Sequence, residues 1–341
     1  MPRTRQQVPG LDLDRFAAYF DEVYPGEMRG PLTAELVAGG KSNLTYVVGD
    51  GEREWVVRRP PLGHVLATAH DMAREHRVMS ALRETAVPVP ETFALCEDES
   101  VIGARFYVME RVRGTPYRTA DQLRRLGPAR TRTISRRTVE TLATLHNVDP
   151  AAVGLADFGR PVGFLERQVR RWKKQLDASR SRDLRGAEEL HALLLDSIPA
   201  EQPSAIVHGD YRLDNLLVDD EDRVAAVIDW EMATLGDPLT DVALMSVYQR
   251  LAGRGGTVAD ASTAPGFLDD EESVALYARE TGRDVSAMGF YLGLASFKLA
   301  TILEGIHYRH VQGQTVGAGF DVVGEAVEPL LAAGITALKE N

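Results

Sequence analysis

Ile206-Val207-His208-Gly209-Asp210-Tyr211-Arg212-Leu213-Asp214-Asn215 is the stretch whose reading decides the fold, and Ile228-Asp229-Trp230-Glu231 completes it. The apolar pair Ile206-Val207 reads as a short strand delivering His208-Gly209-Asp210. Asn215 follows Asp210 by five residues, so a curled loop can aim both side chains into one cavity. Asp219-Asp220-Glu221-Asp222 reads as a solvated hairpin tip. A second apolar run, Val224 to Ile228, then brings Asp229 back. One hairpin thus supplies a proton acceptor and two hard oxygen donors of the kind a divalent cation takes. The alternative is that these residues only cap turns and strand ends, positions that favour Asp and Asn. Agreement of three separated elements argues against it.

Outward from this hairpin the two halves of the chain differ. Leu13, Phe16, Ala17 and Phe20 recur at helical spacing, which predicts a helix over 12–24. Strands are expected at 32–38, 43–49 and 54–59, with Asp50-Gly51 as the hairpin signal between the last two. A helix is expected over 68–84. It is stopped by Val87-Pro88-Val89-Pro90, because proline cannot continue a helix. Strands follow at 91–96 and 105–111. After Gly114-Thr115-Pro116 the pattern turns helical: 130–147, 162–176 with Leu165, Val169, Trp172 and Leu176 on one stripe, 188–195, and from about 241 to the end. Thr257 to Gly266 reads as a flexible loop.

Bulk properties narrow the function classes. The 341 residues suffice for two lobes. A hydrophobic fraction of 44% and a charged fraction of 26% are those of a globular protein. A net charge of −11 argues against nucleic acid as a partner. The single cysteine, Cys96, excludes an internal disulfide framework. With no apolar run near the roughly 18 residues of a membrane span and no signal-peptide core, the expectation is a cytoplasmic protein without membrane association.

His208-Gly209-Asp210, Asn215 and Asp229 resemble the catalytic loop and metal site of the aminoglycoside phosphotransferase family, and the Asp-x-x-x-x-Asn spacing is also that of kinase catalytic loops. The likeness covers about 30–310. Leu36 to Asn43, Arg58 to Gly63, Val87 to Pro90 and Tyr211 to Asn215 are similar to the branch fused to acyl-CoA dehydrogenases. The resemblance implies an α+β, protein-kinase-like bilobal fold. Its N-lobe, residues 1–112, has an antiparallel sheet plus a helix and binds nucleotide. Its C-lobe, 113–341, is mainly helical and carries the catalytic β-hairpin, metal site and substrate pocket. ATP and Mg²⁺ are the implied cofactors. Asp210 is the implied catalytic residue, orienting or deprotonating a hydroxyl, and Asn215 and Asp229 are the implied metal ligands. His208 is read as a structural brace for the loop, and Asp237 and Asp241 as scaffold carboxylates.

On the nucleotide side the resemblance points to Gly40, Ser42, Asn43, Arg58, Glu75, Met109, Glu110 and Val112. Gly40-Lys41-Ser42 ends like a P-loop, but the required first glycine falls at Glu35, and the alternating strand Leu44 to Val48 follows where a helix should stand. Arg58 occupies the place of the kinase lysine. It remains cationic and can grip phosphate bidentately, with Glu75 as its expected partner. Met109, Glu110 and Val112 are the implied adenine hinge.

The implied activity is phosphorylation of a small-molecule hydroxyl. Arg212, Glu231, Trp172 and His307 are the candidate substrate residues. Segments that would line the pocket also carry Arg170, Arg171, Tyr248, Tyr291, Lys298 and Arg309, which favours a hydroxylated metabolite with an anionic or acyl portion over a polyamine. A true aminoglycoside kinase and a nucleotide-binding pseudokinase acting as a partner-binding module are the alternatives. A protein kinase is disfavoured, since no Asp-Phe-Gly stands at Asp229. The assembly is expected to be a monomer or homodimer.

Overall fold

The computed structural model describes residues 8–37, 43–62, 70–253, 259–314, 320 and 322–340. The chain divides into two compact units, Met1–Arg113 with Ala225–Glu231, and Gly114–Val224 with Met232–Asn341. The expected division near 112 differs in one respect: Ala225–Glu231 joins the first unit. There the Val227 N–H donates to the Pro88 carbonyl at 2.8 Å, and Asp229 and Glu231 lie by Arg58.

In the first unit, α1 (Leu13–Val23) begins where the Asp12 side chain accepts the Arg15 N–H at 3.1 Å. The strands β1 (Thr33–Leu36), β2 (Leu44–Gly49) and β3 (Glu54–Arg59) follow. Next come α2 (Met72–Leu82), β4 (Thr92–Cys96) and β5 (Phe106–Glu110). The strands form one antiparallel sheet in the order β1-β2-β3-β5-β4. Tyr46, Val48, Trp55, Val57, Phe106 and Val108 alternate along their strands and pack with Phe16 and Phe20 in one core. Each such side chain, fully buried, contributes about 1.5–3 kcal/mol. Residues of opposite parity face the other way. Arg58 pairs in register with Tyr107 there, and Glu75 of α2 is buried against them. Arg59 takes the core side instead and donates to the Gly10 and Ile102 carbonyls at 2.6 and 2.9 Å. The β2–β3 turn closes at Gly51, whose φ is 95°. Of the helix expected over 68–84, residues 68 and 69 lie outside the described residues; Asp71 caps it by accepting the Arg74 N–H at 3.0 Å, so it runs from Met72 to Leu82.

The second unit is mainly helical. It holds α3 (Ala120–Arg124), α4 (Pro128–His146), α5 (Phe164–Ser179) and α6 (Ala187–Asp196). The strands β6 (Ala205–Val207) and β7 (Leu216–Val218) follow, then β8 (Val224–Val227), which runs on into the first unit. The remainder is β9 (Thr234–Gly236), α7 (Leu239–Gly253), α8 (Asp270–Thr281), α9 (Met288–Val311) and α10 (Val327–Lys339). β6 and β9 pair antiparallel, Ile206 opposite Leu235. The sequence places α5 two residues early: Gly163 is left-handed at φ 68° and Val162 is 87% exposed, so neither is helical. The stripe Leu165, Val169, Trp172 and Leu176 is buried. α9 corrects the reading that no apolar run is long enough to span a membrane. Its 24 residues are long and apolar enough, but 72% of its most apolar window is buried in the protein, against α5, α7 and α10. Of the expected loop at 257–266, residues 257 and 258 lie outside the described residues, and Ala261–Thr263 forms a single 3-10 turn.

Candidate active site

The first unit gathers one guanidinium and three carboxylates. Arg58 Nε is 3.0 Å from Glu75 Oε2, its Nη2 donates to Asp229, and Glu231 is 3.9 Å away. Tyr107 donates its hydroxyl to Glu75 at 3.0 Å. Asn43 adds a crosslink: its Nδ2 donates to Glu75 at 3.2 Å and to Glu231 at 3.1 Å, while its Oδ1 lies 2.8 Å from His70 Nδ1. The Asn43 amide is donating elsewhere, so His70 must carry its proton on Nδ1. Asp229 has a φ of 67°, a left-handed conformation that costs a non-glycine residue roughly 1–3 kcal/mol. Gly40 and Ser42 lie outside the described residues. At the expected hinge, Met109 is buried and the Glu110 N–H is spent on the Glu91 carbonyl at 2.8 Å, so that donor is not available to a ligand. Val112 is half-buried.

Burial pushes the Glu75 carboxyl up to about 7, although Arg58 pulls it down. Burial also lowers the Arg58 guanidinium, but Tyr107, Glu75, Asp229 and Glu231 outweigh that and raise it. The unfolded carboxyl ionises near 4.5 and the folded one near 7, so the cost of ionising Glu75 is absent below about 4.5 and complete above about 7. A Glu75→Gln variant carries no such cost. Its stability relative to the parent should therefore rise between pH 5 and 8 by a few kcal/mol, of the order set by about 1.4 kcal/mol per unit. Denaturant titrations at both pH values check this; a difference that stays flat would refute it.

In the second unit, β6 delivers the loop and a 3-10 turn at Leu213–Asn215 ends it. Asp241, at the start of α7, holds its backbone. One carboxylate oxygen accepts the His208 N–H at 2.7 Å and the other the Gly209 N–H at 2.8 Å. His146 Nε2 adds a third donor at 3.3 Å. Burial lowers the His146 imidazole, so it is neutral, and its Nδ1 accepts the Tyr277 hydroxyl at 2.8 Å. Burial would raise Asp241, but the bonds from His146 and Gly209 and the nearby His208 hold it below the usual carboxylate range. Gly209 is left-handed at φ 84°, and a Cβ there would lie 2.7 Å from the Met232 carbonyl oxygen. His208 Nδ1 accepts the Asp210 N–H at 3.2 Å.

Asp210 itself is gripped at both oxygens. Tyr248 donates to Oδ1 at 2.9 Å, and Asn215 Nδ2 to Oδ2 at 3.1 Å and to the Asp210 carbonyl at 2.9 Å. Burial raises its carboxyl, against the pull of Arg212, Lys298 and the Tyr248 hydroxyl. Beside the loop lies a recess whose lining includes Phe164, Arg171, Trp172, Gly209, Tyr291 and Lys298. Lys298 donates to the Gly209 carbonyl at 2.5 Å, and its ammonium sits 5.5 Å from the Trp172 ring centroid.

The structure sorts the four candidate substrate residues. Trp172 lines the recess. Arg212 does not: it is ion-paired with Asp214 and stacks 4.7 Å from the Tyr248 ring centroid, because a neighbouring carboxylate satisfies its fork. His307 lies three helical positions beyond Glu304 on α9, nine residues past Lys298, with its ring against Gly324. Glu231 belongs to the Arg58 cluster of the first unit. The sequence signals for Tyr248 and Lys298 as loop contacts were absent, since they lie 38 and 89 residues from their partners.

The phosphotransferase enzyme family, APH, matches residues 33–279. The chain is 34% identical over 335 residues to acyl-CoA dehydrogenase family member 11 of Gallus gallus, covering 95% of this chain and 42% of that protein. It is 34% identical over 339 residues to acyl-CoA dehydrogenase family member 10 of Mus musculus, covering 97% and 32%. The chain therefore spans less than half the length of these relatives. Among solved structures, one from Ralstonia eutropha, provisionally named an aminoglycoside phosphotransferase, is 35% identical with a TM-score of 0.84, covering 96% of this chain and 98% of that one. The aminoglycoside phosphotransferase APH(4)-Ia, as a thermostable mutant in complex with AMP-PNP and hygromycin B, is 15% identical with a TM-score of 0.61, covering 94% and 97%. At that identity the likeness shows the kinase-like fold alone. The family model, the relatives and the fold agree: the chain belongs to the APH phosphotransferase enzyme family.

Proposed function

We propose that this protein is a small-molecule kinase that transfers the γ-phosphoryl group of Mg-ATP to a hydroxyl of an acceptor bound in the second unit. The arrangement of Asp210 carries the reading: a carboxylate oriented at both oxygens, on a loop whose backbone is fixed by Asp241 and which borders a recess. In this reading the acceptor oxygen attacks the γ-phosphorus, the bond to ADP breaks, and the acceptor proton passes to Asp210. Arg58 grips phosphate, Glu75 holds Arg58, and Met109, Glu110 and Val112 border the adenine. AMP-PNP in the APH(4)-Ia complex supports ATP as the donor.

The residues present suit magnesium. Magnesium keeps waters and phosphate oxygens and takes few protein ligands. Asn215 spends its Nδ2 on Asp210, so its remaining polar atom is an oxygen. Asp229 offers a carboxylate. When bound, the ion would offset charge developing on the phosphoryl oxygens.

The acceptor is a hydroxylated metabolite with an anionic or acyl portion. The recess presents Arg171, and the Lys298 ammonium at its wall is turned to the Gly209 carbonyl. Its carboxylate, Asp241, already accepts from three donors, so a polyamine would find no partner there. A panel of hydroxylated metabolites and aminoglycosides with Mg-ATP, followed by ADP release, tests this. Turnover of a hydroxy acid or acyl compound is expected. Kanamycin turned over at about 1–100 s⁻¹, the ordinary kinase range, would reverse the acceptor assignment.

A further inference from the structure

Asp210 is held by two side chains that lie far from its motif in sequence. Tyr248 of α7 donates to its carboxylate, and Lys298 of α9 donates to the carbonyl of the preceding Gly209. We propose that Tyr248 and Lys298 are positioning residues for phosphoryl transfer, fixing the Asp210 carboxylate and the peptide that carries it from two separate helices. This inference rests on the small-molecule kinase reading above.

Each contact does something the motif cannot. Asn215 reaches only Oδ2 and the main chain of Asp210, which leaves the other carboxylate oxygen to Tyr248. The Tyr248 ring is in turn packed under the Arg212 guanidinium, which Asp214 locks. Burial and the adjoining Asp210 push the Tyr248 phenol well above its usual value, so it remains a donor at any working pH. Gly209 is the most permissive link in the loop. Asp241 accepts the N–H of the peptide before Gly209, while the peptide between Gly209 and Asp210 is held at its C=O by Lys298 and at its N–H by His208 Nδ1.

Stability does not explain the lysine. The half-buried ammonium is partly desolvated, a cost that an apolar chain of similar length in the same volume would not carry. Burial lowers its pKa, against the pull of Asp210 and Asp241. The Gly209 carbonyl and the Trp172 face offset part of the cost. What the lysine supplies is a fixed carbonyl one residue before the proton acceptor.

The test uses the full chain and two variants, Tyr248→Phe and Lys298→Met. Tyr248→Phe keeps the ring under Arg212, so its fold should hold; melting curves check both. Two readouts are taken: amide hydrogen exchange over Val207–Asn215, and ADP release from Mg-ATP with the best acceptor of the panel and with water alone. Exchange in the loop should quicken at least tenfold and kcat fall about 10–100-fold, the scale of a misplaced reacting group, with KM for Mg-ATP within twofold of the parent. Unchanged exchange overturns the proposal, as does a loosened loop with kcat intact. If the parent releases ADP no faster than Asp210→Asn, it is the kinase reading that fails, and the exchange measurement still decides whether the two residues hold the loop.

Discussion

Asp210→Asn should abolish most turnover, lowering kcat by about two to four orders of magnitude, the usual contribution of a positioned acid or base. The substitution keeps the size of the side chain but removes the charge and the proton-accepting oxygen pair. It also turns an amide N–H toward a donor, because Asn215 Nδ2 and the Tyr248 hydroxyl both point at the present carboxylate. One of those donors must move or go unpaired, which adds disorder to lost chemistry. The Arg58 cluster and the hinge residues belong to the first unit, so nucleotide binding should survive. Mg-ATP should therefore still raise the melting temperature of the variant, as any ligand that prefers the native state does. Residual turnover within tenfold of the parent would remove Asp210 from the chemistry. Loss of nucleotide binding together with turnover would show that the variant acts through folding.

Asp241→Ala should be among the most destabilising single changes in the second unit. The carboxylate is buried and accepts from the His208 and Gly209 N–H groups and from His146. Truncation leaves three donors without their acceptor. At about 1–3 kcal/mol for each unsatisfied buried group, partly relieved by relaxation, the expected loss is about 3–5 kcal/mol, the scale of a broken buried pair. Urea titration should show an earlier transition, and exchange at His208 and Gly209 should quicken. Asp237 offers a comparison at the same helix start. It accepts the Gln202 and Leu239 N–H groups and the Tyr291 hydroxyl, and none of these lies in the His208–Asn215 loop. Asp237→Ala should cost stability without quickening that loop. A loss below about 1 kcal/mol for Asp241→Ala would mean the loop backbone is held by something else.

Much of the fold was legible because it follows from backbone periodicity. Strand alternation put Tyr46, Val48, Trp55 and Val57 on one face and Arg58 on the other, where Glu75 meets it. Helical spacing put Leu165, Val169, Trp172 and Leu176 on one stripe. Ends were less legible, because periodicity does not report them: the Asp71 cap hydrogen bond starts α2 later than the apolar pattern suggests, and the left-handed Gly163 does the same for α5. α9 falls in the stretch expected to be helical, but its apolar length is masked in sequence by Lys298 and Glu304, while its surroundings bury it regardless.

Sequence by itself determined the order of elements and the family and singled out Asp210, Asn215 and Asp229 as candidates, since each rests on spacing along neighbouring residues. Tertiary structure alone decided which partner each charged side chain meets. Arg212, a candidate for substrate, is consumed by Asp214 and Tyr248; His307 is turned toward Gly324; Glu231 joins Arg58 through Asn43. It also supplied Asp241, Tyr248 and Lys298 as the frame of the loop, across separations of 32, 38 and 89 residues. The physical reason is one of range. Local conformation is set by dihedral preferences that repeat every two or 3.6 residues, whereas the partner of a charged group is whichever complementary atom packing brings within about 3 Å, and no spacing rule encodes that.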